Sequence, residues 1–291
     1  MKEINLFCFG FGQVAKNFVK KLASEGIKVN LNATSRKKTQ QKSIYNIDYN
    51  IFQFDQNNFD KALIEKLKKS EYILISIAPI NGVDIVINNF EKALGEKNIK
   101  WTTYLSATSV YGDHKGEWVN EDSSTNPTSP NGIERLNVEK SWMDLAKDNK
   151  LQLQIFRLSG IYSNQRNILN RLKAGEAKII KKENHFFSRI HVEDIANVLF
   201  KSLVNFKSKE IYNISDDKPA SSEEVTLYGS ELLKIKKPKN IDISMIESEM
   251  LKNFYNDSKK VSNKKMKEFF NYKLKHPTYI EGLNYIYDNI I

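Results

Sequence analysis

Gly10-Phe-Gly-Gln-Val-Ala15 and Thr34-Ser-Arg36 are two stretches whose residue types and spacing could do chemistry. Gly10 can take backbone angles closed to other residues, and Gly12 lacks the Cβ that would hold a bound phosphate away from the chain. Gln13 and Val14 open the segment that follows. If it is a helix, its first N–H groups and the positive end of its dipole face an anion in the turn. A dinucleotide pyrophosphate is the expected guest. Thr34, Ser35 and Arg36 offer two hydroxyls and a guanidinium, with no Asp or Glu among them. An acidic residue there would accept from the 2′-OH of NAD, whereas these groups suit a 2′-phosphate through charge-assisted bonds. NADP(H) is therefore preferred over NAD(H), the plain alternative being an exposed basic loop.

The elements that must position these residues can be read from periodicity. Ile4 to Phe9 is an apolar run that ends at the glycines, and Val14, Ala15, Phe18, Val19, Leu22 and Ala23 then recur at helical spacing. Strands are expected at Ile27–Leu31, Tyr49–Phe54, Glu71–Pro79 and Lys100–Ser106, with helices from Phe59 to Leu67 and from about Gly82 to Leu94. This alternation predicts an α/β fold, a doubly wound parallel sheet of the Rossmann type with a smaller C-terminal substrate lobe. The dinucleotide-binding domain is placed at residues 1–160, completed by about 186–217, and the lobe at 161–185 and 218–291. Ligands of such sheets bind beyond the carboxyl ends of the strands. Asp55, Ala78, Pro79 and Ser106 close strands on that edge and join the expected cofactor set.

Composition narrows the partners. The chain has 291 residues, a formal net charge of +10 and 40% hydrophobic residues. It has no apolar run near the roughly 18 residues that a membrane span needs, and its N-terminus does not read as a signal peptide, so a cytoplasmic protein is expected. The excess cations are mostly Lys scattered along helices, without aromatic interleaving or a groove-reading motif. Nucleic acid is therefore not the expected partner, and a small anionic or polar substrate is favoured. The single cysteine, Cys8, lies in the first strand and is expected to be buried and inert. No Cys/His cluster and no carboxylate spacing points to a metal. A homodimer is left open.

Leu105-Ser-Ala-Thr-Ser-Val-Tyr-Gly112, Gly116-Glu-Trp-Val-Asn-Glu121 and Asn126-Pro-Thr-Ser-Pro130 are followed by a helix to about Asn149. Later come Phe156-Arg-Leu-Ser-Gly-Ile-Tyr162, Arg189-Ile-His-Val-Glu-Asp-Ile-Ala196, Ile211-Tyr-Asn-Ile-Ser-Asp-Asp217 and Ser262-Asn-Lys-Lys-Met266. In this order the segments resemble the extended branch of the short-chain dehydrogenase/reductase superfamily, and more narrowly the NAD-dependent epimerase/dehydratase family and its atypical members. The resemblance implies hydride chemistry on a small polar substrate, with a Ser or Thr after the fifth strand and a Tyr-x-x-x-Lys on the next helix. Here those places hold Ala107, Asn131 and Arg135. Ala107 has no hydrogen bond to give, and Asn131 is no proton donor. Arg135 can still clamp ribose or phosphate oxygens, its alternative being a surface ion pair with Glu139.

Tyr111 and Tyr162 are the candidate replacement acids. Arg166, Arg171 and Arg189 are candidates for an anionic substrate or nucleotide diphosphate. The family pattern after Tyr162 carries Gly-Pro-Gly before the Arg, where this chain has Ser163-Asn-Gln165. His191 and Asp194 fall in a segment that the resemblance marks as structural, and His114 and His185 read as solvated loop histidines. Two functions follow: an NADP(H)-dependent oxidoreductase or epimerase with a non-standard site, or a catalytically silent dinucleotide-binding redox sensor or regulator.

Overall fold

The computed structural model describes residues 1–56, 58–95, 99–248, 252 and 255–290. Positions 249–251, 253, 254 and 291 of the expected lobe lie outside the described residues. The chain opens with β1 (Glu3–Phe9), α1 (Gln13–Ser24), β2 (Lys28–Ser35), β3 (Gln40–Ile44), β4 (Ile47–Asp55) and β5 (Asn58–Phe59). It continues with α2 (Ala62–Lys68), β6 (Tyr72–Ile75), α3 (Ile85–Gly95) and β7 (Trp101–Ala107). A 3-10 turn (Thr108–Tyr111) and β8 (Trp118–Val119) precede α4 (Pro130–Asp148), β9 (Leu153–Leu158), β10 (Gly160–Tyr162) and α5 (Ile168–Lys173). Then come β11 (Ile179–Ile180), β12 (Arg189–His191), α6 (Val192–Ser202), β13 (Glu210–Ile214), α7 (Ser222–Leu232) and β14 (Asn240–Ile241). The last elements are β15 (Lys260–Val261), α8 (Lys264–Phe269) and α9 (Tyr279–Ile290).

Two units divide the chain. The first holds Met1–Ala107, Ile133–Arg157 and Ile195–Tyr212. Its sheet has the order β13-β9-β7-β6-β1-β2-β4-β3, with β5 paired to β4. β1 pairs in parallel with β2 on one side and with β6 on the other. The chain builds outward through β2 and β4, then returns to β6 and β7 on the far side of β1. Such a reversal opens a crevice at the carboxyl ends of the central strands. Gly10, Arg36, Gln56 and Ser76 are the residues that leave those ends.

The apolar runs become buried strands because helices cover them. Phe7, Phe9, Phe54 and Phe90 interlock with ring centroids 4.8 to 6.1 Å apart, in a core with Leu63, Ile73, Ile75, Tyr104 and Trp142. Elsewhere in this unit Phe18 of α1 stacks on Trp101 at 5.8 Å. Cys8 is wholly buried, and burial pushes its thiol pKa up, so the thiolate that redox chemistry needs is disfavoured.

Several boundaries differ from expectation. β2 runs on to Ser35, because its pairing with β4 continues through Thr34 and Ser35. β6 stops at Ile75, and Ser76 to Pro79 already form the exit loop. β3 is a polar, exposed strand with no apolar alternation to read. It returns antiparallel to β4 through Tyr45 and Asn46, whose φ angles of 52° and 60° give a two-residue hairpin turn.

The second unit holds Thr108–Gly132, Leu158–Asp194 and Asn213–Ile291. It contains three two-stranded parallel pairs, β15 with β8, β10 with β12, and β11 with β14. Tyr162, Leu169, Val225, Tyr279, Leu283 and Ile286 form one core cluster. Among the described residues no helix is long and apolar enough to cross a membrane.

Candidate dinucleotide-binding site

The glycine turn is built as a cradle. Gly10 has φ +81°, and a Cβ there would come within 2.8 Å of Ser76 Oγ. Its N–H donates to Thr34 Oγ1 at 2.8 Å, while Ser76 Oγ donates to Phe9 O at 3.0 Å and Gly10 O at 3.2 Å. The turn is thus braced from β2 on one side and from the end of β6 on the other. Gly12 is the N-cap of α1, and no side chain caps the helix. The first helical bond runs from Lys16 N–H to Gly12 O, which leaves the N–H groups of Gln13, Val14 and Ala15 without helical partners. There is no acidic side chain in the first turn. A Cβ on Gly12 would meet nothing within 4 Å, so the space in front of these N–H groups is open. An open, uncapped, unopposed helix start fits a phosphate group.

At the end of β2 the structure separates the three expected residues. Thr34 is 1% exposed and its oxygen is taken by Gly10, so it shapes the turn. Ser35 is half-buried, and Arg36, Lys37 and Lys38 are exposed. Asp55 is exposed at the end of β4. Ala78 is exposed and Pro79 half-buried in the loop after β6. All of these belong to the first unit.

Arg135 lies on α4, half-buried, and its Nη1 donates to Leu105 O at 3.0 Å near the carboxyl end of β7. The expected alternative, an ion pair with Glu139, is corrected. Glu139 takes the guanidinium of Arg157 through contacts of 2.7 to 3.2 Å, and both side chains are buried. Asp84 accepts from Val86 and Ile87 N–H and from Trp142 Nε1. Burial raises its carboxyl above the usual range, against these bonds and the nearby Arg135 charge. Ser106 is buried, and its hydroxyl has no hydrogen-bond partner among the described residues. Ala107 ends β7, and Thr108 leaves it in the 3-10 turn, so strand alternation stops there.

Both tyrosine candidates are buried in the second unit. Tyr111 is wholly buried, and its hydroxyl donates to Asn213 Oδ1 at 2.7 Å. Gly112 beside it needs its missing Cβ, which would stand 1.9 Å from Asn126 O. Tyr162 is buried under α9, where a Cβ on Gly282 would stand 2.0 Å from its oxygen. Burial raises its pKa, which makes it a weaker acid.

Arg189 is likewise committed. It donates to Phe187 O and Ala220 O, and the partly aligned Ser221 O lies 3.5 Å away. Arg166 is exposed on the loop before α5, and Arg171 reaches Glu176 O. Two histidine expectations are corrected. His185 is 3% exposed between Phe187 and Tyr255, where burial pushes it down to about 4. His114 is half-buried, with Nε2 3.2 Å from both Tyr111 O and Ser124 O. Asp194 accepts from Tyr272 Oη and from the N–H groups of Lys275 and His276, so it ties down the segment before α9.

The model of the NAD-dependent epimerase/dehydratase family matches residues 10–215, beginning at the first glycine of the cradle. The chain belongs to this family. Among solved structures it is similar to a functionally unknown conserved protein from Silicibacter pomeroyi DSS, with 29% identity over 99% of each chain and a TM-score of 0.86. It also shares its fold with the UDP-glucuronic acid 4-epimerase of Bacillus cereus, solved with NAD. That match has 15% identity, covers 100% of this chain and 98% of the other, and has a TM-score of 0.78. The UDP-glucose 4-epimerase of Thermotoga maritima, solved with UDP-glucose, matches at 16% identity over 99% and 98%, with a TM-score of 0.77. No curated protein matches the chain.

Proposed function

We propose that this family member binds NADP(H) in the glycine cradle and acts as an oxidoreductase or epimerase on a small polar substrate, with a non-standard active site. The observation that carries the reading is the uncapped start of α1 over Gly12, whose missing Cβ opens onto free space. Exposed Arg36 at the end of β2, with no Asp or Glu among Thr34, Ser35 and Arg36, supports the 2′-phosphate. Gln13 and Val14 would offer N–H groups to the pyrophosphate. Asp55, Ala78, Pro79 and Ser106 would line the adenosine and nicotinamide sides.

The bound nicotinamide would supply hydride transfer. Arg135 would act as a fixed cation toward ribose or the reacting oxygen. The fold relatives, a UDP-glucuronic acid 4-epimerase and a UDP-glucose 4-epimerase solved with UDP-glucose, favour a nucleotide-sugar or otherwise phosphorylated substrate. Exposed Arg166 is the cation offered to it, and Arg189, bound to carbonyls, is not proposed for that role. The cytoplasm is the proposed location, and a homodimer the proposed assembly.

A second reading, a dinucleotide-binding sensor without turnover, is favoured by Ala107, Asn131 and the burial of Tyr111 and Tyr162. NADPH binding followed by fluorescence, with turnover assayed on nucleotide sugars, sugar phosphates, aldehydes and ketones, separates the two. Oxidation or reduction of a member of this panel supports the enzyme, and binding without turnover supports the sensor. If neither NADPH nor NADH binds at micromolar concentration, both readings fail.

A further inference from the structure

The second unit brings together three metal-ligating side chains that the sequence keeps apart. His191 ends β12, Glu193 lies two residues on, and His276 comes from the segment before α9. One donor atom from each lies within 4.8 Å of the other two. His276 Nε2 is 2.9 Å from Glu193 Oε2, and His191 Nδ1, which accepts the Glu193 backbone N–H at 3.3 Å, is 3.9 Å from the same oxygen. The imidazole centroids are 4.0 Å apart, and both rings are buried, whereas Glu193 is half-buried and opens the cluster to solvent. Tyr162 and Tyr285 wall the rings, at 5.0 Å from His191 and 4.9 Å from His276 respectively. The backbone bonds from Lys275 and His276 to Asp194 fix this register without any ion.

Lys275 Nζ already stands 2.8 Å from Glu193 Oε2, exposed and 5.0 Å from the centre of the Tyr285 ring. The carboxylate therefore holds a cation here, and the remaining donors beside it are imidazole nitrogens. Two such nitrogens and one carboxylate oxygen form a donor set suited to zinc and its first-row neighbours. We propose that His191, Glu193 and His276 bind one divalent transition-metal ion, Zn2+ foremost, and that Lys275 occupies its cation position when the ion is absent. Binding displaces the Lys275 ammonium from Glu193 and ties the β12–α6 junction to the segment before α9. The site shares no residue with the dinucleotide cradle.

The test uses full-length, untagged, chelator-stripped protein, with Co2+ absorption and Zn2+ competition against a chromophoric chelator. One equivalent per chain is expected at micromolar metal. Glu193→Gln keeps the side-chain shape, and His276→Ala removes a ligand; each is expected to weaken binding by about tenfold or more. Lys275→Met is expected to tighten it, because the competing charge is gone, and His114→Ala to leave it unchanged. Failure of both the natural chain and Lys275→Met to bind would overturn the site, as would unchanged binding in Glu193→Gln and His276→Ala. Binding no tighter in Lys275→Met would overturn the role given to Lys275.

Discussion

Gly10 and Gly12 sit two residues apart under opposite constraints. Gly10 is required by the fold, because its φ is positive and Ser76 fills the place of its Cβ. Gly12 faces open space, so a side chain there conflicts only with a guest. Gly12→Val is accordingly expected to leave thermal unfolding nearly unchanged while weakening NADPH binding by about tenfold or more, about 1.4 kcal/mol. Equal loss of stability and binding would show that Gly12 serves the fold. Arg36→Ala is expected to bring the NADPH and NADH dissociation constants together; an unchanged ratio would remove Arg36 from the 2′-phosphate. The glycine spacing and Arg36 were legible as local signals. The bracing by Thr34 and Ser76 was not, because those bonds exist only once β2 and β6 flank β1.

At the scale of elements, α4 carries the difference between spacing and structure. Arg135 and Glu139 are four residues apart and read as a surface pair, yet Glu139 shares the buried face with Val138 and Trp142 and meets Arg157 of β9. Glu139→Ala removes the carboxylate that holds the buried Arg157 guanidinium in two-point contact, so it is expected to cost about 3–5 kcal/mol in urea unfolding. A loss below about 1 kcal/mol, the range of exposed pairs, would contradict the buried pairing. β1, α1 and β7 announce themselves by apolar periodicity, to within a residue or two. β3 does not, because an exposed edge strand has no buried face to pattern its sequence.

Across the whole molecule, buried polar groups set the response to acid. His185 is held neutral by burial, with its pKa pushed down to about 4, whereas in the unfolded chain it titrates near ~6.5. Below that pH the unfolded chain binds a proton that the folded chain refuses, so stability falls as pH drops from about 6.5 toward 4. His185→Phe, placed between Phe187 and Tyr255, is expected to flatten this decline by about one proton in denaturation curves taken across that range. An unchanged slope would mean that another group carries it. The doubly wound fold was legible because alternating strands and helices constrain topology. The chemistry of the second unit was not, since its contacts join residues such as His191 and His276 across long stretches of chain. The same limit hid the burial of Tyr162 and of Tyr111, the candidate replacement acids.

Titration of the purified chain with NADPH and NADH tests the central claim most directly. The cradle and Arg36 predict micromolar or tighter binding of NADPH, at least about tenfold tighter than NADH. Binding of neither nucleotide, or equal affinity for both, would contradict the account.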